Sequence, residues 1–82
     1  MARRRRRRGI TVELDLHGAT HEEAVVAVHR FVNDHWIPGW RLRFVVGRRG
    51  RMAAVVSRVL SEYDLEPVED EWNCGVVWAE VE

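Results

Sequence analysis

The stretch TVELDLHGATHEE, residues 11–23, decides the fold of this chain. Its first half alternates apolar and polar residues, the pattern of a strand that buries one face and leaves the other accessible. Gly18 then permits a sharp turn, and Thr20 with Glu23 three residues later is the capping-box pattern that begins a helix. The stretch therefore predicts a strand, a tight turn and the first turn of a helix.

Two side chains with catalytic chemistry lie on one face of that strand. Asp15 and His17 are two residues apart, so their Cα atoms lie roughly 7 Å apart at a rise of ~3.3 Å per residue. Beside them, the N–H groups and dipole of the helix N-terminus favour an anion such as phosphate, with Gly18 and Thr20 next to it. A structural role is the alternative: Asp15 as a helix-capping carboxylate and His17 as a hydrogen-bonded histidine that together lock the turn from strand to helix.

The remaining sequence predicts one further helix and three further strands. The predicted elements are strand 10–16, helix 21–36, strand 41–46, a helix from Met52 to Tyr63, strand 68–72, a hairpin turn at 73–75 and strand 76–81. Because crossovers between parallel strands are right-handed, two successive ones place both helices on one face of the sheet. The order βαβαββ therefore predicts an α/β two-layer sandwich with a four-stranded mixed sheet and one open sheet face.

A glycine-arginine loop follows the second predicted strand, and it consists of Gly47, Arg48, Arg49, Gly50 and Arg51. The carboxyl ends of parallel strands share one edge of a sheet, and ligands of open α/β sheets bind outside that edge. The sequence therefore predicts that this loop lies beside the turn after the first strand and holds a phosphate there. A solvated turn without a ligand is the alternative.

Two tryptophans have more than one interpretation. If the third strand is also parallel, Trp72 ends at the same edge and offers a ring on which a base stacks, although packing of the hairpin explains the residue as well. Trp78 belongs to the last strand. It is a candidate for a dimer or partner surface if it faces the open side of the sheet.

Six of the thirteen basic residues form an unbroken arginine run at residues 3–8. Residues 9–82 then carry seven basic and thirteen acidic residues, a net charge of −6 that the run cancels. We expect residues 1–8 to be a disordered arm that binds a polyanion such as RNA, DNA or a ribosome surface, ahead of one domain at 9–82. A segment that only aids solubility, or that was added artificially, is the alternative.

Composition limits the classes of protein that remain. We expect one domain from 82 residues, and the single cysteine, Cys74, excludes an internal disulfide. No apolar run is long enough for a signal peptide or a membrane span. We therefore expect a cytoplasmic protein without a membrane partner, as a monomer or a weak homodimer.

Over residues 10–82 the chain resembles the small MutS-related (Smr) domain family. The resemblance is carried by the motif LDLHG at 14–18, the triplet EEA at 22–24, the glycine-basic loop after the second strand, and a valine-rich last strand after Gly75. It implies a sandwich like the C-terminal domain of translation initiation factor 3, with the last strand inserted next to the second. The loop departs from the family pattern of His or Thr followed by Gly-Lys/Arg-Gly, because Val46 replaces the polar residue and the glycines are spaced differently.

Members of that family cleave or bind nucleic acids: some nick DNA, and others cleave RNA, including messenger RNA on stalled ribosomes. The resemblance implies that Asp15 and His17 carry the active motif. With RNA, His17 would exchange a proton with the 2′-hydroxyl or the leaving oxygen while Asp15 supports the imidazole, and no cofactor is required. With DNA, water must attack, and a divalent metal on Asp15, Mg²⁺ or Mn²⁺, is expected.

Three functions therefore remain open. The first is an Smr-like endonuclease that cleaves RNA or nicks DNA. The second is a non-catalytic nucleic-acid- or ribosome-binding module that uses the arginine arm and the glycine-arginine loop. The third is a protein-interaction domain that uses the open sheet face around Trp78. A metal shared by His17 and His21 lacks an evident third ligand in the sequence.

Overall fold

A computed structural model of the chain describes residues 10–47, 51–70 and 75–82. Within these ranges the chain forms four strands and two helices. In chain order they are β1 (Thr11–Asp15), α1 (His21–Asp34), β2 (Arg41–Val45), α2 (Met52–Glu62), β3 (Val68–Glu69) and β4 (Val76–Glu80). The predicted order βαβαββ is confirmed.

The strands form one mixed sheet in the order β1-β2-β4-β3. β1 pairs with β2 in parallel, whereas β4 pairs antiparallel with both β2 and β3. The last strand therefore lies between β2 and β3, next to the second strand as expected. β1, β2 and β3 consequently run in one direction, and their carboxyl ends lie at the same edge of the sheet.

The core lies between one face of the sheet and the two helices. β2 contributes Leu42 and Phe44, which are fully buried, and their partners on β4 are the buried residues Ala79 and Val77. The helices contribute apolar residues at three- and four-residue steps, namely Ala24, Val28 and Val32 from α1 and Met52, Val56, Val59 and Leu60 from α2. The opposite sheet face carries no helix among the described residues, which confirms the predicted open face.

α1 begins with the predicted capping box. Thr20 Oγ1 accepts a hydrogen bond from the Glu23 backbone N–H at 3.1 Å, and Glu23 Oε1 accepts one from the Thr20 N–H at 2.9 Å. The helix ends at Asp34, two residues before the predicted end at Trp36. His35 leaves the helical conformation, and its Nδ1 lies 2.9 Å from the carbonyl oxygen of Phe31, where it helps to close the last turn.

α2 ends in a Schellman motif that the sequence did not indicate. The Leu65 N–H donates to the Leu60 carbonyl, and the Asp64 N–H donates to the Ser61 carbonyl. Asp64 has φ = 62°, the left-handed conformation that glycine usually supplies at this position. Aspartate tolerates that conformation better than most residues, so the motif forms without a glycine.

β3 is shorter than the predicted strand 68–72. Its pairing with β4 covers Val68 and Glu69, and the Asp70 N–H adds a hydrogen bond to the Val76 carbonyl. Residues 71–74 lie outside the described ranges. The other three strands differ from their predicted bounds by one residue at one or both ends. None of the described helices is long and apolar enough to cross a membrane.

We expect Thr20→Ala to lower the free energy of unfolding by about 1 kcal/mol, because it removes the side-chain acceptor for the Glu23 N–H. For a domain of this size, that loss corresponds to a fall in Tm of about 4–8 °C, measurable by circular dichroism. Thr20→Ser keeps the oxygen and is the matched control. Equal melting temperatures for the Ala and Ser variants would contradict a stabilising role for the capping box.

Candidate functional site

The chain leaves β1 and β2 side by side at the carboxyl edge of the sheet. The Leu16 N–H donates to the Val45 carbonyl at 2.9 Å, which extends the parallel pairing by one residue beyond β1. Val46 and Gly47 then both donate their N–H groups to the carbonyl oxygen of Gly75, at 2.7 and 3.2 Å. The Leu16 bond holds the turn after β1 beside the end of β2, and the two bonds to Gly75 hold the start of the glycine-arginine loop against β4.

The turn after β1 is held by two hydrogen bonds. Asp15 Oδ1 accepts from the backbone N–H of His17 at 2.9 Å, and the Leu16 carbonyl accepts from the Ala19 N–H at 3.0 Å. Gly18 lies at the third position of the four-residue turn with φ = 88°, a conformation that L side chains rarely adopt. Asp15 and Gly18 therefore fix the backbone on both sides of His17.

The imidazole of His17 is exposed, and it makes no hydrogen bond or ion pair with any other described residue. An exposed ring with unoccupied nitrogens is available to a substrate. The carboxylate of Asp15 contacts the backbone of His17 rather than its ring. Asp15 therefore acts on His17 by holding the turn. The alternative of a helix-capping carboxylate is wrong in its detail, because Thr20 is the N-cap of α1.

The N-terminus of α1 carries negative charge. The Thr20 hydroxyl and the Glu23 N–H bond each other, whereas the N–H groups of His21 and Glu22 donate to no other described residue. The first turn carries the carboxylates of Glu22 and Glu23, which already complement the helix dipole. This helix start is therefore less favourable for a phosphate than the sequence suggested.

The N-terminus of α2 has the opposite electrostatic character. Arg51 is its N-cap residue, is exposed, and provides no side-chain cap. The first turn contains no acidic residue, and the N–H groups of Met52 and Ala53 donate to no other described residue. A positive side chain therefore accompanies uncapped N–H groups at this helix start, the arrangement that favours a bound anion.

Gly47 contributes its backbone conformation to the candidate site, and not a free N–H group. It has φ = 87°, and a Cβ built there would meet nothing within 4 Å, so only the backbone conformation requires glycine. Its N–H is already bonded to Gly75, which the sequence did not predict because Gly75 lies 28 residues further along the chain. The chain from Gly47 to Arg51 spans at most about 15 Å, so Arg51 stays close to this edge.

Among the described residues, those of the predicted site that lie at the carboxyl edge of β1 and β2 are Asp15, His17, Gly18, Thr20 and Gly47, and Arg51 is the N-cap of α2. Arg48, Arg49, Gly50 and Trp72 lie outside the described residues. The sequence could have predicted the hydrogen bond from the His17 N–H to Asp15, because an Asp side chain in a turn often accepts the N–H of the residue two positions ahead. Among the described residues, no three His, Cys, Asp or Glu side chains converge as ligands for a metal ion.

Comparison with known proteins finds no match to this chain among family models, curated proteins or solved structures. The resemblance to the Smr family therefore rests on the sequence motifs alone.

Proposed function

We propose that this protein is an Smr-like endonuclease that cleaves phosphodiester bonds of RNA or DNA, with His17 as its catalytic residue. The observation that carries the proposal is the exposed imidazole of His17, held on a hydrogen-bonded turn at the carboxyl edge of the parallel strands. Ligands of open α/β sheets bind at this edge. The LDLHG motif supplies the link to nucleic-acid cleavage through its resemblance to the Smr family.

With RNA, the proposed reaction transfers a proton from the ribose 2′-hydroxyl to His17. The 2′-oxygen then attacks the adjacent phosphorus and the bond to the 5′-oxygen breaks, which leaves a 2′,3′-cyclic phosphate. The leaving 5′-oxygen takes up a proton from water, and His17 later returns its proton to the solvent. In this proposal, Arg51 and the uncapped N–H groups of Met52 and Ala53 stabilise the charge that develops on the phosphoryl oxygens. One well-placed donor of this kind contributes about 3 kcal/mol in comparable sites.

With DNA, no 2′-hydroxyl is present, and water must act as the nucleophile. A divalent metal such as Mg²⁺ or Mn²⁺ would supply an activated water, with Asp15 as its protein ligand. One carboxylate oxygen of Asp15 is engaged with the His17 N–H, so one oxygen is left for a metal. Such a metal would take most of its ligands from water and phosphate, as Mg²⁺ commonly does.

A non-catalytic nucleic-acid-binding module is the second candidate, and one observation favours it. One polar group from each of the two motifs has a structural partner here: Asp15 Oδ1 accepts the His17 N–H, and the Gly47 N–H donates to the Gly75 carbonyl. A site of this kind still offers a guanidinium and helix N–H groups to a phosphate. The two candidates differ in whether His17 takes part in chemistry.

The endonuclease proposal predicts that His17→Ala lowers the rate of cleavage of labelled single-stranded RNA or plasmid DNA by about 10²–10⁴-fold, the usual value of a general acid or base. Because His17 is exposed, its replacement should leave the melting temperature within the small range typical of surface substitutions. His21→Ala is the matched control, since it removes an exposed histidine four residues away and should retain the wild-type rate.

Each substrate is assayed with and without EDTA. Cleavage of RNA that EDTA does not reduce supports proton transfer by His17, and nicking of DNA that EDTA abolishes supports the metal route. If the wild-type protein binds nucleic acid but cleaves neither substrate, the binding module replaces the endonuclease. Equal cleavage by the wild type and His17→Ala would contradict the proposal directly.

The hydrogen bond from His17 to Asp15 generates a separate prediction about Asp15. Asp15→Asn keeps an oxygen acceptor for the His17 N–H, so we expect it to retain RNA cleavage within about tenfold of the wild type. Asp15→Ala loses that bond, and we expect a loss of about 1 kcal/mol in stability together with a larger loss of activity. Cleavage rates and urea midpoints of the two variants provide the comparison.

The opposite outcome is also informative. If Asp15→Asn loses as much RNA cleavage as Asp15→Ala while its stability stays at the wild-type level, the negative charge of Asp15 is what matters. That result would assign Asp15 an electrostatic role toward the imidazole or a metal, and it would overturn the positioning role.

A further inference from the structure

The open face of the sheet has Trp78 near its centre. One row of paired residues crosses all four strands. In order from β1 to β3 it consists of Glu13, Arg43, Trp78 and Val68. Trp78 is half-buried, and Val68 at the edge is 39% exposed. An aromatic ring and an apolar side chain therefore stand on a sheet face that no described helix covers.

The two sides of the Trp78 ring differ in charge. On the β2 side, the guanidinium of Arg41 lies 5.1 Å from the ring centroid, and Arg43 Nε lies 3.4 Å from Glu13 Oε1. On the other side, a groove of about 250 Å³ runs toward the end of β4. That groove is lined by Asp64, Glu66, Val68, Trp78, Glu80 and Glu82.

The carboxylates of this acidic groove form no ion pair with a described residue, although Arg41, the backbone partner of Glu80, lies over the far side of the Trp78 ring. Asp64, Glu66, Glu80 and Glu82 are exposed, and none forms a hydrogen bond or ion pair through its side chain with another described residue. The last basic residue in the sequence is Arg58, and eight acidic residues follow it. The groove is therefore a strongly negative surface beside an aromatic ring.

We propose that the arginine run at residues 3–8 docks in this acidic groove of its own chain. Guanidinium groups bind carboxylates through paired hydrogen bonds and stack on tryptophan rings. Arg41 already lies over Trp78 in this way, so the ring accepts a guanidinium in this fold. The run carries six positive charges, and residues 9–82 carry a net charge of −6.

The point of attachment allows this docking. Thr11 pairs with Arg41, and Arg41 pairs with Glu80, so the start of β1 lies two strands away from the groove. Two strand spacings amount to roughly 10 Å. Residues 3–9 span up to about 23 Å when extended, and Gly9 permits the chain to turn across the sheet.

The same charges make a nucleic acid a poor occupant of the groove, because four carboxylates repel a phosphate backbone. The proposed docking also holds the arginine run at the edge where β1 and β2 begin, opposite the edge that carries His17. The docking is a property of the chain without nucleic acid, so it stands or falls separately from the proposed nuclease activity.

Paramagnetic relaxation in the full chain tests the docking. A nitroxide is attached at Ala2→Cys in a Cys74→Ser background, and signals of the ¹⁵N-labelled protein are recorded at about 20 mM and 1 M salt, where screening differs strongly. We expect the label to broaden Val68, the Trp78 indole N–H and Glu80 at low salt, with recovery at high salt. The unaltered chain should show a salt-dependent shift of the same indole signal.

Two double variants separate the groove from overall charge. Glu66→Gln/Glu82→Gln removes two carboxylates of the groove and should abolish the broadening at Val68 and Trp78. Glu22→Gln/Asp34→Asn removes two exposed carboxylates from α1 and should leave it unchanged. Both pairs change the net charge equally, so only the location of the charge differs.

Three results would overturn the proposal. Broadening confined to residues 10–13 and their β2 neighbours would mean that the run does not reach the groove. Equal broadening in both double variants would mean that the groove is not the docking site. Broadening seen only when nitroxide-labelled and ¹⁵N-labelled chains are mixed would assign the groove to the arm of a second copy.

Discussion

The parallel pairing of β1 with β2 is the constraint on which the rest of the structure depends. The hydrogen bond from the Leu16 N–H to the Val45 carbonyl continues that pairing to the last residue before the turn. It forces both crossover loops to begin at one edge of the sheet, so that His17 and Gly47 come together although 30 residues separate them. The two helices then cover the same sheet face and leave the other face open.

The elements of the fold were predictable because their signals are local. Each signal depends on spacing within a few residues. Examples are the apolar-polar alternation of residues 11–16, the capping box of Thr20 and Glu23, and the apolar stripe of α2. For the position of β4 between β2 and β3, the acidic residues at 68–72 favour an edge strand and the apolar residues at 76–81 favour a central one, and the family resemblance implies the same order. Two features were not predictable. The Gly47 N–H finds its partner through a tertiary contact, and Asp64 has a left-handed conformation at a position where glycine is usual.

The sequence predicted where the candidate residues lie, but not the contacts that Asp15 makes. The sequence placed Asp15 and His17 on one strand face, and period two allowed either a contact between the side chains or a bond to the backbone. In the structure, Asp15 Oδ1 accepts a hydrogen bond from the His17 backbone N–H at 2.9 Å. Asp15 therefore helps to fix the turn that carries the imidazole. It also shifts the favourable place for an anion from α1, whose first turn is acidic, toward α2, whose first turn is not.

Arg51 lies at the carboxyl edge of the sheet, and the acidic groove lies at the opposite end of β4. The central claim is that the turns after β1 and β2 form a single binding site for a phosphodiester. Chemical-shift mapping of the His17→Ala variant with a short single-stranded oligonucleotide tests this claim most directly. The account predicts that the amide signals of Gly18, Gly47 and Ala53 shift together with one dissociation constant. Shifts at only one of the two turns, or only on the open sheet face, would contradict it.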